Sequence, residues 1–121
     1  MTILVASGKS LKLQKISDHY YFNDAFGSNE LATMSAGREL LKKGFSIKDF
    51  TIGCDDVTYV LKGSMKIVSD GKTYVAHEGD LVHMTKGSKM THTTDEDCEA
   101  IYVTFPTLRE PGTPGGIPSD V

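Results

Sequence analysis

The stretch Asp56-Val57-Thr58-Tyr59-Val60-Leu61-Lys62-Gly63-Ser64-Met65-Lys66-Ile67-Val68-Ser69-Asp70-Gly71-Lys72-Thr73-Tyr74-Val75-Ala76 decides the fold class. Its first part is rich in β-branched and aromatic residues and stops at Lys62-Gly63. Ser64 to Val68 alternates polar and apolar residues, the period of a strand with one buried face. Asp70-Gly71 is the strongest short-range hairpin signal, and Lys72 to Ala76 returns as the partner strand.

Outward from this hairpin the same grammar continues. His77-Glu78-Gly79-Asp80 predicts a second turn, Leu81 to Met84 a strand, Lys86-Gly87-Ser88 another turn, and Met90 to Thr94 a short strand. Asp95-Glu96-Asp97 reads as a charged loop and Ala100 to Phe105 as the last clear strand. Towards the N-terminus the β pattern holds back to Phe45. Residues 31–43 are ambiguous: Arg38-Glu39-Leu40-Leu41 has helix-forming residues, but Ser35-Ala36-Gly37 interrupts a long helix, and the regular strands that follow favour a strand. Asn23-Asp24, after the aromatic run Tyr20-Tyr21-Phe22, predicts a turn. Short strands at this spacing, with no helical segments between them, predict an all-β sandwich or barrel and exclude a parallel βαβ sheet. The domain is expected over residues 1–108. Residues 109–121, rich in Pro and Gly, read as a tail, either a loose extension or an arm over a partner subunit.

A chain of 121 residues has room for one core. A net charge of -3 argues against nucleic-acid binding, and no apolar run is long enough to cross a membrane. The N-terminus lacks a basic start followed by a long apolar run, so no secretion signal is expected. Two distant cysteines, Cys54 and Cys98, are too few for a disulfide framework and read as free thiols of a cytoplasmic protein.

The glycine spacing resembles that of the cupins, whose two signatures are G-x5-H-x-H-x3-E-x6-G and G-x5-P-x-G-x2-H-x3-N. Laid from Gly44, the first puts its histidines on Phe50 and Ile52, its acid on Asp56 and its last glycine on Gly63. Laid from Gly79, the second puts its proline on Thr85, its glycine on Gly87, its histidine on Met90 and its asparagine on Thr94. The match covers about residues 44–105. It implies a single-domain double-stranded β-helix, or jelly-roll barrel. Within cupins the stretches from Phe50 to Gly63 and from Ala100 to Pro106, with Met90, look most like the ethanolamine-utilisation Q type (EutQ). That resemblance implies a bacterial protein associated with ethanolamine breakdown and credited with acetate kinase activity, often with a further N-terminal region. No P-loop or other phosphate-cradling glycine motif is present in the sequence.

The resemblance implies a metal held by three imidazoles and one carboxylate, and the residue types here do not supply it. Phe50 and Ile52 cannot ligate, and Met90 offers only a soft thioether. No cofactor is therefore expected. The alternative is a rearranged divalent-metal site from Cys54, Asp56, His83 and His92: strand parity puts His92 with Met90, and Cys54 with Ile52 and Asp56, while the face of His83 is open. The metal-free expectation is a polar pocket with Asp56, His92 and Tyr102 as chemical groups and Phe50, Ile52, His83 and Met90 as ligand-contacting walls. Asp56 among apolar neighbours is expected to have a raised pKa, with His92 titrating near neutrality as its partner. The bland alternatives are hydrogen-bonded barrel histidines and, for Tyr59 and Tyr102, core aromatics. Glu39 is expected at the surface, with the pocket as the alternative if residues 34–42 are a strand, and Lys62 and Lys86 are expected in solvated turns. Two functions follow: a module binding a small polar metabolite, accessory to ethanolamine or amine catabolism, or a lyase, isomerase or group-transfer enzyme using Asp56 and His92. A purely structural subunit is the weaker third. A homodimer is expected, by analogy with small cupins.

Overall fold

The computed structural model describes residues 3–27 and 33–107, with Ile117 and Val121. Ten strands follow in chain order among these residues: β1 (Gln14–Ser17), β2 (Tyr20–Phe26), β3 (Ser35–Leu41), β4 (Ser46–Thr51), β5 (Asp55–Lys62), β6 (Ser64–Ser69), β7 (Lys72–His77), β8 (Leu81–Met84), β9 (Lys89–Thr93) and β10 (Cys98–Phe105). All pair antiparallel, in a six-stranded sheet ordered β1-β2-β3-β10-β5-β8 and a four-stranded sheet ordered β4-β9-β6-β7. The two sheets fold over one core. No helix of the described residues is long and apolar enough to cross a membrane.

The hairpin at Asp70-Gly71 forms as the sequence predicts. Ser69 pairs with Lys72, and both turn residues adopt positive φ, 51° and 74°. Two left-handed residues make the turn whose twist matches that of the flanking strands. The ambiguous segment is the strand β3, and its side chains alternate strictly between buried and half-buried. Inward parity falls on Ser35, Gly37, Glu39 and Leu41. The strands β5 and β10 turn Asp56, Thr58 and Val60, and Cys98, Ala100, Tyr102 and Thr104, inward in the same way.

The turn expected at Asn23-Asp24 does not form. Both residues lie within β2, opposite Arg38 and Gly37 of β3. Tertiary hydrogen bonds take the side chains that would otherwise have closed a local turn: Asn23 Nδ2 donates to the Lys12 carbonyl at 2.8 Å, and Tyr102 Oη donates to Asp24 Oδ1 at 2.5 Å. The close approach of Tyr102 also explains Gly37, because a Cβ there would overlap the Asn23 carbonyl and the tyrosine ring. Tyr20, Phe22 and Phe45 fill this part of the core, with Tyr20 and Phe22 stacked at 5.3 Å between centroids.

Candidate functional site

The inward faces of the two sheets close on a cavity of about 50 Å³. Phe50, Ile52 and Met90, at the three positions where the cupin signature has histidines, form part of its wall together with Ile47 and Met84. Phe50 and Met90 face each other across the β4–β9 ladder, so the two signature motifs meet here. Cys54 and Asp56 follow Ile52 at alternate positions and also face inward.

Three acidic or basic groups are set into this wall: Glu39 from β3, Asp56 from β5 and His92 from β9. Glu39 and Asp56 are 9% and 8% exposed. Between their strands runs β10, which places Ala100 opposite Glu39 on one side and Val60 on the other. Asp56 lies opposite Thr104, further along the same strand, and both carboxyls line the one cavity. Thr58 Oγ1 donates to Asp56 Oδ1 at 2.6 Å. The His92 ring packs edge-on against Phe45 at 5.3 Å, and its Nε2 is shut off from solvent with no hydrogen-bond partner among the described residues.

Burial dominates the protonation of all three. It pushes the Glu39 carboxyl up to about 8, with the charge of Asp56 adding to the effect. Asp56 is pushed up to about 6 by burial, opposed by the Thr58 hydrogen bond and by His83. His92 is pushed down to about 4, because a buried imidazolium finds no compensating partner. Near pH 7 the site therefore holds a protonated Glu39, a mostly ionised Asp56 and a neutral His92. The sequence-based expectation of an Asp56 with raised pKa stands, whereas the expectation that His92 titrates near neutrality does not.

Five of the seven residues expected to act or to contact a ligand without a metal, Phe50, Ile52, Asp56, Met90 and His92, line this cavity. Tyr102 and His83 do not join them. Tyr102 is buried, but its hydroxyl is turned towards β2 and held by Asp24. His83 is exposed on the outer face of β8, opposite Val57, because Met84 takes the inward position; it lines a groove of about 560 Å³ that shares Met84 and Met90 with the cavity. The rearranged set of Cys54, Asp56, His83 and His92 is thus broken by the direction of His83. Burial and Asp56 push the Cys54 thiol up to about 11. Among the described residues no group of three or more His, Cys, Asp or Glu side chains is placed to hold a metal ion. The metal that the fold implies therefore does not fit the residues present.

Glu39 takes the alternative position, in the cavity and not at the surface, because residues 35–41 are a strand whose inward parity it shares with Leu41. Ile117 also reaches the cavity wall. The rest of the expected tail, apart from Val121, lies outside the described residues.

Two antiparallel sheets closed over an interior cavity, with the signature glycines at the turns, make this protein a cupin. An RmlC-like cupin from Shewanella frigidimarina has the same fold, with a TM-score of 0.72 at 17% identity over 87% of this chain and 92% of that one. The chain belongs to the EutQ family: the model described as ethanolamine utilisation protein EutQ matches residues 3–109. The protein named acetate kinase EutQ of Clostridioides difficile (strain 630) is 30% identical over 105 residues, covering 87% of this chain and 66% of that protein. The solved structure of the Clostridium difficile EutQ protein has a TM-score of 0.66 at 31% identity, over 73% of this chain and 63% of that one. The chain spans just under two thirds of the length of these relatives.

Proposed function

We propose that this EutQ-family cupin binds a small polar metabolite in its interior cavity, as an accessory to ethanolamine or amine catabolism in the cytoplasm, without the imidazole-held metal of other cupins. The observation that carries this reading is the buried His92 Nε2, left without a partner beside two carboxyls in one cavity. A polar group so placed costs about 1–3 kcal/mol of folding stability, a cost that folding alone does not repay. A cavity of about 50 Å³ has room for roughly four waters, or a ligand of about four or five heavy atoms. Kinase activity in this chain is a separate matter, because the relative named for it is longer and the sequence here has no phosphate-cradling loop.

A second reading is catalytic. An ionised Asp56 beside a protonated Glu39 and a neutral imidazole is the kind of split protonation that lets one site give and take protons. A second copy is the partner we favour for the outer face of the six-stranded sheet, where Tyr59 pairs laterally with Ile101 and Leu81, all three exposed. A light-scattering mass of one chain at micromolar concentration would count against that dimer.

The test of the main reading is a thermal-shift screen of amines, organic acids, sugars and divalent metals. A true ligand at a hundred times its Kd stabilises by about 2.7 kcal/mol, and Asp56→Asn should abolish the shift. A screen in which only divalent metals stabilise would overturn the reading. The catalytic reading needs turnover of the bound compound that is lost in Asp56→Asn.

A further inference from the structure

We propose that the ligand of this cavity is a small primary ammonium compound, held by acceptors that line it: Glu39, Asp56 and the Nε2 of His92. The inference rests on the cavity being a binding site, and it names the chemistry of what binds. A primary ammonium has three donors and no acceptor, so it needs a site made of acceptors. The cavity supplies that set. Asp56 keeps an oxygen free, because Thr58 occupies Oδ1. The Glu39 carboxyl has no hydrogen-bonding partner among the described residues. In the tautomer protonated at Nδ1, His92 offers the Nε2 lone pair, which nothing else uses. No Lys or Arg lines the cavity, so an anion would meet two carboxyls and no positive charge. Phe50, Ile52 and Met90 make the rest of the wall largely apolar, suited to a chain of two or three carbons.

The assignment carries a proton balance. The free site near pH 7 holds one proton on the carboxyl pair, mainly on Glu39. A cation placed between the carboxyls favours ionisation of both, so binding R–NH3+ expels that proton to solvent: the ligand keeps its three hydrogens and the pair goes from one negative charge to two. The other titratable groups facing the pair are Tyr20 from β2, Tyr102 and Cys98 from β10, and Cys54 before β5. Burial raises all four, so they stay neutral and do not supply the proton. His83 acts on Asp56 from outside, on β8.

The experiment is titration calorimetry of the full chain at pH 7 and pH 9 in two buffers of different ionisation enthalpy, neither a primary amine. The probes are 2-aminoethanol, tetramethylammonium, ethylene glycol and acetate. The expected result is binding of 2-aminoethanol with release of up to one proton at pH 7 and less at pH 9. Tetramethylammonium, a small cation without an N–H donor, should bind at least about tenfold more weakly. Glu39→Gln should weaken 2-aminoethanol about tenfold and abolish the proton release. Binding of acetate with proton uptake, or of ethylene glycol in preference to the amine, each lost in Asp56→Asn, overturns the ammonium assignment and leaves the cavity reading intact. Failure of all four probes to bind overturns both.

Discussion

Two neighbouring parts of this interior bury acids and treat them in opposite ways. Around Tyr102 the fold supplies a partner: the tyrosine hydroxyl donates to Asp24, stacked aromatics fill the space, and Gly37 removes a Cβ to let the ring in. A few ångströms of barrel further on, Glu39 and Asp56 face an open cavity with an imidazole nitrogen that nothing satisfies. In the first region the acid has its partner within the fold. In the second both acids face a cavity, and acids set into a cavity are where ligands bind.

The contrast predicts different responses to mutation. The largest effect is expected in the first region: Tyr102→Ala should cost about 3–5 kcal/mol in denaturant unfolding at pH 7, as for a large core side chain. A loss below about 1 kcal/mol would mean that this region is not the packed one.

In the cavity, removing an acid should instead stabilise. The folded-state pKa of Glu39 lies above its ordinary 4.5, at about 8, so the folded protein binds more protons than the unfolded chain in that window. Stability from this group is full below pH 4.5 and is lost as pH rises towards 8. Glu39→Gln should therefore match the native protein near pH 4.5 and exceed it by on the order of a few kcal/mol at pH 9. A variant less stable than the native protein at pH 9 would show that Glu39 has a structural partner.

His92 has the opposite sign. Its pKa falls from 6.5 to about 4, so the unfolded chain binds more protons between those values, and stability is lost as pH falls through them. Measured in a Glu39→Gln background, which removes one opposing slope, His92→Gln should flatten the loss between pH 6.5 and 4 by about 2 kcal/mol. An unchanged acid limb would mean that His92 is more accessible than its geometry indicates. Tyr102→Phe keeps the ring and removes only the donor to Asp24, and should cost about 1–2 kcal/mol. Smallest, Gly71→Ala at φ 74° should cost about 1 kcal/mol in the hairpin and leave ligand binding untouched.

Much of the barrel could be read from local chemistry. Asp70-Gly71 forms its turn, and the signature glycines Gly44, Gly63, Gly79 and Gly87 all take positive φ. The wall at Phe50, Ile52 and Met90 followed from the resemblance to cupins, whose histidine positions fall on these residues. The errors fell where a local signal competed with distant partners. Asn23-Asp24 carries turn residues, yet Lys12 and Tyr102 hold both side chains within a strand. His83 sits one position from an inward side chain, and only its pairing opposite Val57 shows that it points out.

The sequence by itself determined the β architecture and the glycine turns, since period and glycine placement are local properties, and its resemblance to the cupins marked the three wall positions that have lost imidazole. Only the tertiary structure decided that Glu39 joins Asp56 and His92 inside the barrel. That meeting depends on three strands from two sheets. The protonation of the three groups is likewise set by shared burial, a quantity that belongs to the folded interior and to no single stretch of chain.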